Sequence, residues 1–310
     1  MTIIEQKTRI KGEYRLVLNA GLPTEKDTGW FDNLVLDNGL NMLGSGPTNW
    51  YANCSVGTGT AAPANAQTTL TAYLAQKLGI TSSSASNVGS PSYAGQYTAV
   101  YTFAQGAVVG NIAEVGVGPG TGGSNLFSRS RIVDGGGTPT TLTVVALDQL
   151  TVYYRVTATP TLTDAAGSFL ISGVSYNYTS RLSNAGSFMA TTSAWEGTSR
   201  WGSLVTAGNI VATFSTATLG ATTSAPGGTA YNGATLSMAA YSAGNFYNDC
   251  TLTFSTSQGN APGGVGSIWV DWGNTPSNSR RHCSQMSLSP VIPKDNTKVL
   301  TIVFRYSWSR

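Results

Sequence analysis

Leu150-Thr151-Val152-Tyr153-Tyr154-Arg155 and Leu300-Thr301-Ile302-Val303-Phe304-Arg305 are the stretches whose reading decides the fold. In each, every second residue is apolar and large. A period of two places those side chains on one face of an extended strand. The β-branched and aromatic content fits a pleated, half-buried surface. Tyr14, Leu16 and Leu18 alternate with Arg15, Val17 and Asn19 in the same way. Between such segments stand dense turn signals at Gly118–Gly123, Asp134–Pro139, Ala225–Gly228 and Gly259–Gly266. Short strands separated by glycine-rich turns predict an all-β chain built of β-sandwich, jelly-roll-like layers. Helix is expected at Asn38–Gly44, a single turn with Asn38 as its N-cap, and at Thr68–Lys77, where Leu70, Tyr73 and Leu74 would share a face.

The two opening stretches belong to a longer echo. Tyr101-Thr102-Phe103, Ile112–Gly118 and Phe127–Ile132 precede the first, while Leu252-Thr253-Phe254, Ile268–Gly273 and Arg280–Met286 precede the second. Agreement in order and spacing predicts a duplicated β unit. The expected halves are residues 46–178 and 187–310, joined by a small polar linker over Leu182–Phe188. Residues 1–45 read as an N-terminal β arm that docks onto a neighbour, with Tyr14, Trp30 and Phe31 as its docking residues.

Charged residues make up only 10% of the 310 residues, against about 25% in ordinary soluble domains. Trp201–Asn248 carries no Asp, Glu, Lys or Arg, and Lys77 is the only charge between Asn38 and Ala113. Ser, Thr, Asn and Gly supply the polarity instead. Such a surface suits a protein sealed by neighbours better than a free cytosolic enzyme. The net charge of +3 is spread thinly: Arg280, Arg281 and His282 stand together, as do Arg129 and Arg131, but no basic stripe marks a nucleic-acid partner. Three cysteines, Cys54, Cys250 and Cys283, make no disulfide framework and read as reduced thiols in a cytosolic assembly compartment. Met1–Lys11 lacks the apolar core of a signal peptide, and no apolar run is long enough to span a membrane.

Signals for chemistry are few. His282 is the only histidine and has no nucleophile motif near it. It is adjacent to Cys283, so in a strand the two point to opposite faces, and no spacing suits a metal. Gly118–Gly123 matches a dinucleotide-binding glycine pattern, yet a strand-like segment follows where a helix is needed. Glu114 and Asp271 fall on equivalent strands of the two halves and are the carboxylates a polysaccharide-cleaving enzyme would use. The reading therefore predicts no catalytic residue, no metal and no cofactor. Aromatic residues are the better binding candidates. Trp269 and Trp272 lie on opposite faces of one strand with Tyr247 nearby, and exposed rings of this kind stack on sugars or anchor partners.

Four segments carry a family resemblance: Gly29-Trp30-Phe31-Asp32-Asn33-Leu34-Val35 with Asn38-Gly39-Leu40; Cys54–Pro63; Gly110–Val117 leading into Leu126-Phe127-Ser128-Arg129; and Ile292-Pro293-Lys294 through Phe304–Arg310. Together they resemble virion structural proteins of tailed bacteriophages, of the collar, neck or tail-fibre type. The resemblance implies a non-enzymatic virion component at the neck or tail, assembled in the host cytoplasm. The implied partners are other neck and tail proteins and further copies of the chain in cyclic symmetry. The alternative it leaves open is a tail-fibre or host-attachment protein that binds surface glycan.

Overall fold

The structure is a computed structural model that describes residues 3–45, 49–91, 93–183, 185–196, 210–274 and 280–310, with side chains at 187, 210, 272–274 and 280–282 outside the description. Strand β1 (Ile3–Leu18) is followed by the short strands β2 (Lys26–Asp27), β3 (Phe31–Asp32) and β4 (Leu34–Val35), then helix α1 (Asp37–Ser45). Next come β5 (Asn53–Gly57), β6 (Tyr73–Leu78), β7 (Ser82–Val88), β8 (Ala94–Thr102), β9 (Gly110–Ile112), β10 (Glu114–Gly118), β11 (Ser128–Arg131), β12 (Leu142–Val144) and β13 (Leu150–Pro160). The remainder comprises β14 (Ala165–Ile171), β15 (Val174–Leu182), a 3-10 turn (Ala185–Ser187), α2 (Thr192–Glu196), β16 (Ile210–Phe214) and β17 (Tyr231–Asn232). It ends with β18 (Thr235–Met238), β19 (Tyr247–Phe254), β20 (Val265–Asn274), β21 (Arg280–Ile292) and β22 (Leu300–Ser309). The chain is all-β, and among the described residues no sheet closes into a barrel.

The strands gather into two compact units. One contains residues 10–85 and 96–158; the other contains residues 1–9, 86–95 and 159–309. In the first, β13 lies beside β8, and the second half of β1 lies beside β13. A second sheet has the order β4-β11-β10-β5-β6. Alternation decides what lies between them. Tyr97 and Tyr101 of β8 and Val152 and Tyr154 of β13 are all fully buried. Trp50 meets Phe127 at 4.7 Å between ring centroids and Tyr97 at 5.6 Å.

The other unit repeats this plan. Its sheets have the orders β18-β19-β22, flanked by Ile3–Arg9 of β1, and β14-β15-β21-β20-β16-β17. Cys250, Leu252 and Phe254 of β19 and Leu300, Ile302 and Phe304 of β22 face Ile268, Val270, Met286 and Leu288 of the second sheet. Taken in chain order, β11-β10-β5-β6 corresponds to β21-β20-β16-β17, and β13-β8 corresponds to β22-β19. Four of these correspondences, β8 with β19, β10 with β20, β11 with β21 and β13 with β22, are the segments matched in the sequence echo. The boundaries differ from 46–178 and 187–310, because β1 is divided between the units after Arg9 and the segment 86–95 falls wholly in the second of them.

Two further expectations are corrected. The first 45 residues are not a separate docking arm. Ile4, Ile10, Tyr14, Leu16 and Leu18 of β1 are each at most 1% exposed. Burying such a side chain is worth about 1.5–3 kcal/mol, so the strand is held inside rather than offered to a neighbour. Tyr14 packs 4.9 Å from the Tyr154 ring, and its hydroxyl is 2.7 Å from Ser128 Oγ. Phe31 pairs with Tyr14 across β1 and β3 and is buried too. Thr68–Lys77 is not a helix: Leu70 plugs a small cluster with Leu36 and Leu126, and Tyr73–Leu78 pairs with the edge of β5. The helix expected near Asn38–Gly44 is present as α1, but it is longer than one turn and begins at Asp37, so Asn38 and Gly44 lie inside it and Asn38 is not its N-cap.

Candidate functional site

The most elaborate side-chain chemistry lies on the outward face of the β5-β10-β11 sheet. Val115 and Val117 of β10 face the core, so Glu114 turns the other way, as does Arg129 of β11. Both side chains are 0% exposed and pair at 2.6 Å, because the uncharged segment Thr58–Ala72 lies over them. Arg129 also donates to Gln67 Oε1, Thr71 Oγ1 and the Ala61 carbonyl, each at 2.8 Å. Glu114 accepts from the backbone N–H groups of Gly59, Thr71 and Ala72 at 2.7–3.2 Å. A Cβ on Gly59 would stand 2.4 Å from Glu114 Oε1, so glycine is what lets the carboxylate come this close. The pair is a clasp that pins a loop onto a sheet. Every lone pair and proton it uses is committed within the protein.

The other unit has a clasp at the corresponding place. Gln285 of β21 is 0% exposed and pairs with Trp269 of β20, as Arg129 pairs with Gly116 of β10. Its Nε2 donates toward the carbonyls of Gly220, Ala221 and Ser224 at 3.0–3.2 Å, and its Oε1 accepts from Gly220 N–H at 2.7 Å. The loop after β16 is thereby fixed over the sheet, as the loop after β5 is in the first unit. Asp271 and Cys283 lie beside this clasp, both buried, with the thiol donating to Asp271 Oδ1 at 3.4 Å.

The predicted binding aromatics fall mostly inside. Trp269 is only 9% exposed, donates from Nε1 to Ser183 Oγ at 2.7 Å and packs on Ala212, Phe214 and Ala225. The loop that Gln285 holds covers it, so it offers no open ring. Tyr247 lies under the Arg305 guanidinium at 3.5 Å from its centroid, and Asp249 pairs with that arginine at 2.7 and 2.8 Å. Asp249 is the first cause that holds Arg305 above the ordinary arginine range. Trp272 stands opposite His282 in the β20–β21 register, and its side chain lies outside the described residues. Trp30 is half-buried, with Arg155 stacked over its ring at 4.0 Å and paired to Glu13 at 2.8 Å. Arg155 and Arg305 occupy matching positions in the two sequence echoes, and each covers an aromatic ring while pairing with a carboxylate.

A cleft of ≈ 250 Å³ in the second unit is lined by Glu5, Lys7, Thr163, Asp164, Ser180 and Arg181. Its charges are already matched: Arg181 pairs with Asp164 at 2.6 Å and Lys7 with Glu5 at 3.3 Å. The Arg181 hydrogen bond holds the Asp164 carboxyl below its usual range. Among the described residues, no group of three or more His, Cys, Asp and Glu side chains could hold a metal ion. All three cysteines are free and buried, and burial pushes the Cys250 thiol up to about 12. No helix among the described residues is long and apolar enough to cross a membrane.

The clasp residues Gln285 and Arg129 escaped the reading of the sequence as site residues. Their only signal is that each sits in the second strand of a repeated hairpin, facing away from the core. Comparison with models of protein families, with curated proteins and with solved structures returned no match.

Proposed function

We propose that this chain is a non-enzymatic structural component of a tailed-phage particle, at the neck, collar or tail, working through subunit and fibre contacts. The observation that carries the reading is the pair of buried clasps at Arg129 and Gln285. They commit the best-placed polar side chains to holding long, uncharged loops rigidly on their sheets. Rigidity with a low-charge exterior is what a permanent contact surface needs, since few charges must be desolvated when neighbours close over it. The segments that resemble virion proteins include Cys54–Pro63, Gly110–Val117 and Leu126–Arg129, which supply Gly59, Ala61, Glu114 and Arg129 of the first clasp. Partners on this reading are other neck or tail proteins and further copies of the chain, with assembly in the host cytoplasm.

Immunogold electron microscopy of purified particles, with antibody to this chain, tests the reading. Gold at the neck or tail is expected. Unlabelled particles from a lysate that contains the protein would overturn it.

A further inference from the structure

Among the described residues, strand β14, Ala165-Ala166-Gly167-Ser168-Phe169-Leu170-Ile171, ends its six-stranded sheet and pairs on one side with β15. Sheet edges are templates for further strands, and proteins ordinarily blunt them with charge, proline or a bulge. β14 has none of these. Its first four residues are exposed, Leu170 is 71% exposed, and a shallow recess lined by Ile4, Phe169, Ile171 and Ile302 continues the apolar surface.

The turn fixes which backbone groups point outward. Ser172 and Gly173 both have positive φ, 49° and 80°, as in a two-residue hairpin turn whose flanking pair, Ile171 and Val174, is hydrogen-bonded. Hydrogen-bonded and non-bonded positions alternate along an antiparallel pair. Ala166 and Leu170 therefore aim their N–H and C=O away from β15.

From these facts we infer that β14 is a homodimer edge, pairing antiparallel with β14 of a second copy about a two-fold axis at Ser168. The sequence is complementary to itself in that register. Ala165 meets Ile171, Ala166 meets Leu170 and Gly167 meets Phe169, so each large side chain faces a small one on both faces. Ala166 and Leu170 supply ladder hydrogen bonds twice over, and no charge has to be buried. A two-fold contact of this kind closes on itself, so it gives a dimer and no filament. The inference concerns the isolated chain and does not rest on the particle assignment.

Sedimentation velocity on the full chain tests it. Wild type is expected to be a dimer, and Leu170→Asp, on an exposed site, is expected to raise the dissociation constant by roughly tenfold or more, since the two-fold doubles each change. The double variant Ala166→Lys/Leu170→Asp places each new lysine opposite the partner's aspartate and should restore the dimer. Ser168→Cys should cross-link across the axis on mild oxidation, where Cα atoms of a bonded pair stand about 5.5 Å apart, and Ser175→Cys on β15 should not. A wild-type monomer at the highest soluble concentration overturns the inference. So does a dimer indifferent to Leu170→Asp, which would place the contact elsewhere.

Discussion

Arg129 and Gln285 hold corresponding places in two sheets of the same strand order, yet one clasp is ionic and the other is neutral. Arg129 needs Glu114 beside it, because a buried guanidinium without a counter-charge is very costly. Gln285 needs no such partner, since its amide carries both donor and acceptor and meets only backbone groups. Both aim buried donors at the carbonyls of a loop that follows an inner strand. Loop fixation, with every polar group satisfied, is therefore the feature common to the two units, and charge is one way to achieve it.

The largest expected effect comes from what the two units share. Deleting residues 1–18 removes strand β1, which supplies buried residues to both, so no cooperatively folded protein should remain by near-ultraviolet circular dichroism and thermal melting. A folded product would restore the separate-arm reading. Arg129→Met should cost about 3–5 kcal/mol in urea denaturation, because Glu114 is left as a buried, unpaired charge. Adding Glu114→Gln should recover part of that loss. Gln285→Ala should cost less, about 1–3 kcal/mol, since only neutral hydrogen bonds are lost. If the two losses prove equal, the difference in charge between the clasps has no energetic weight.

The smallest effect is a pH dependence at the cleft. The Asp164 carboxyl is held below its ordinary value of 3.8 by the Arg181 hydrogen bond. Its contribution is therefore complete above about pH 4 and fades as pH falls through the lower folded-state value. Arg181→Gln should cost about 0.2–1 kcal/mol at neutral pH, with the gap from wild type narrowing in acid. A gap that stays constant down to about pH 2 would show that the Arg181 bond to the Gly220 carbonyl accounts for all of it.

Much of the fold was legible because alternation is local. Leu150–Arg155, Leu300–Arg305 and Tyr14–Leu18 declare their inner faces in six residues or fewer, and the turn signals at Gly118–Gly123 and Gly259–Gly266 fall at strand junctions, with Gly118 closing β10 and Gly266 already inside β20. The echo matched four pairs of strands along the chain and left their order within the sheets unstated. What was not legible depended on distant chain. Alternation put Trp269 and Trp272 on opposite faces, but the cover over Trp269 comes from the loop near Ala225. Thr68–Lys77 carries a helix-like apolar pattern, and the edge of β5 overrides it. Tyr14 and Phe31 looked like an arm because nothing nearby in sequence encloses them, whereas Ser128 and Tyr154 do so in space. Gln285 bonds carbonyls at positions 220–224, which leave no mark in the sequence.

The parallel pairing of Ile3–Arg9 with Val303–Ser309 has a consequence in time. Residues 10–158 contain nearly all the strands of their unit and can complete it early in synthesis. Ile3–Arg9 must instead wait for a partner made 300 positions later. At about 5–20 residues per second, that is a delay of roughly 15–60 s. For that interval the side of Ile3–Arg9 that β22 will take is an open strand edge, exposed to wrong partners in a crowded compartment. The yield of this protein should thus respond to the speed of translation and to access to chaperones.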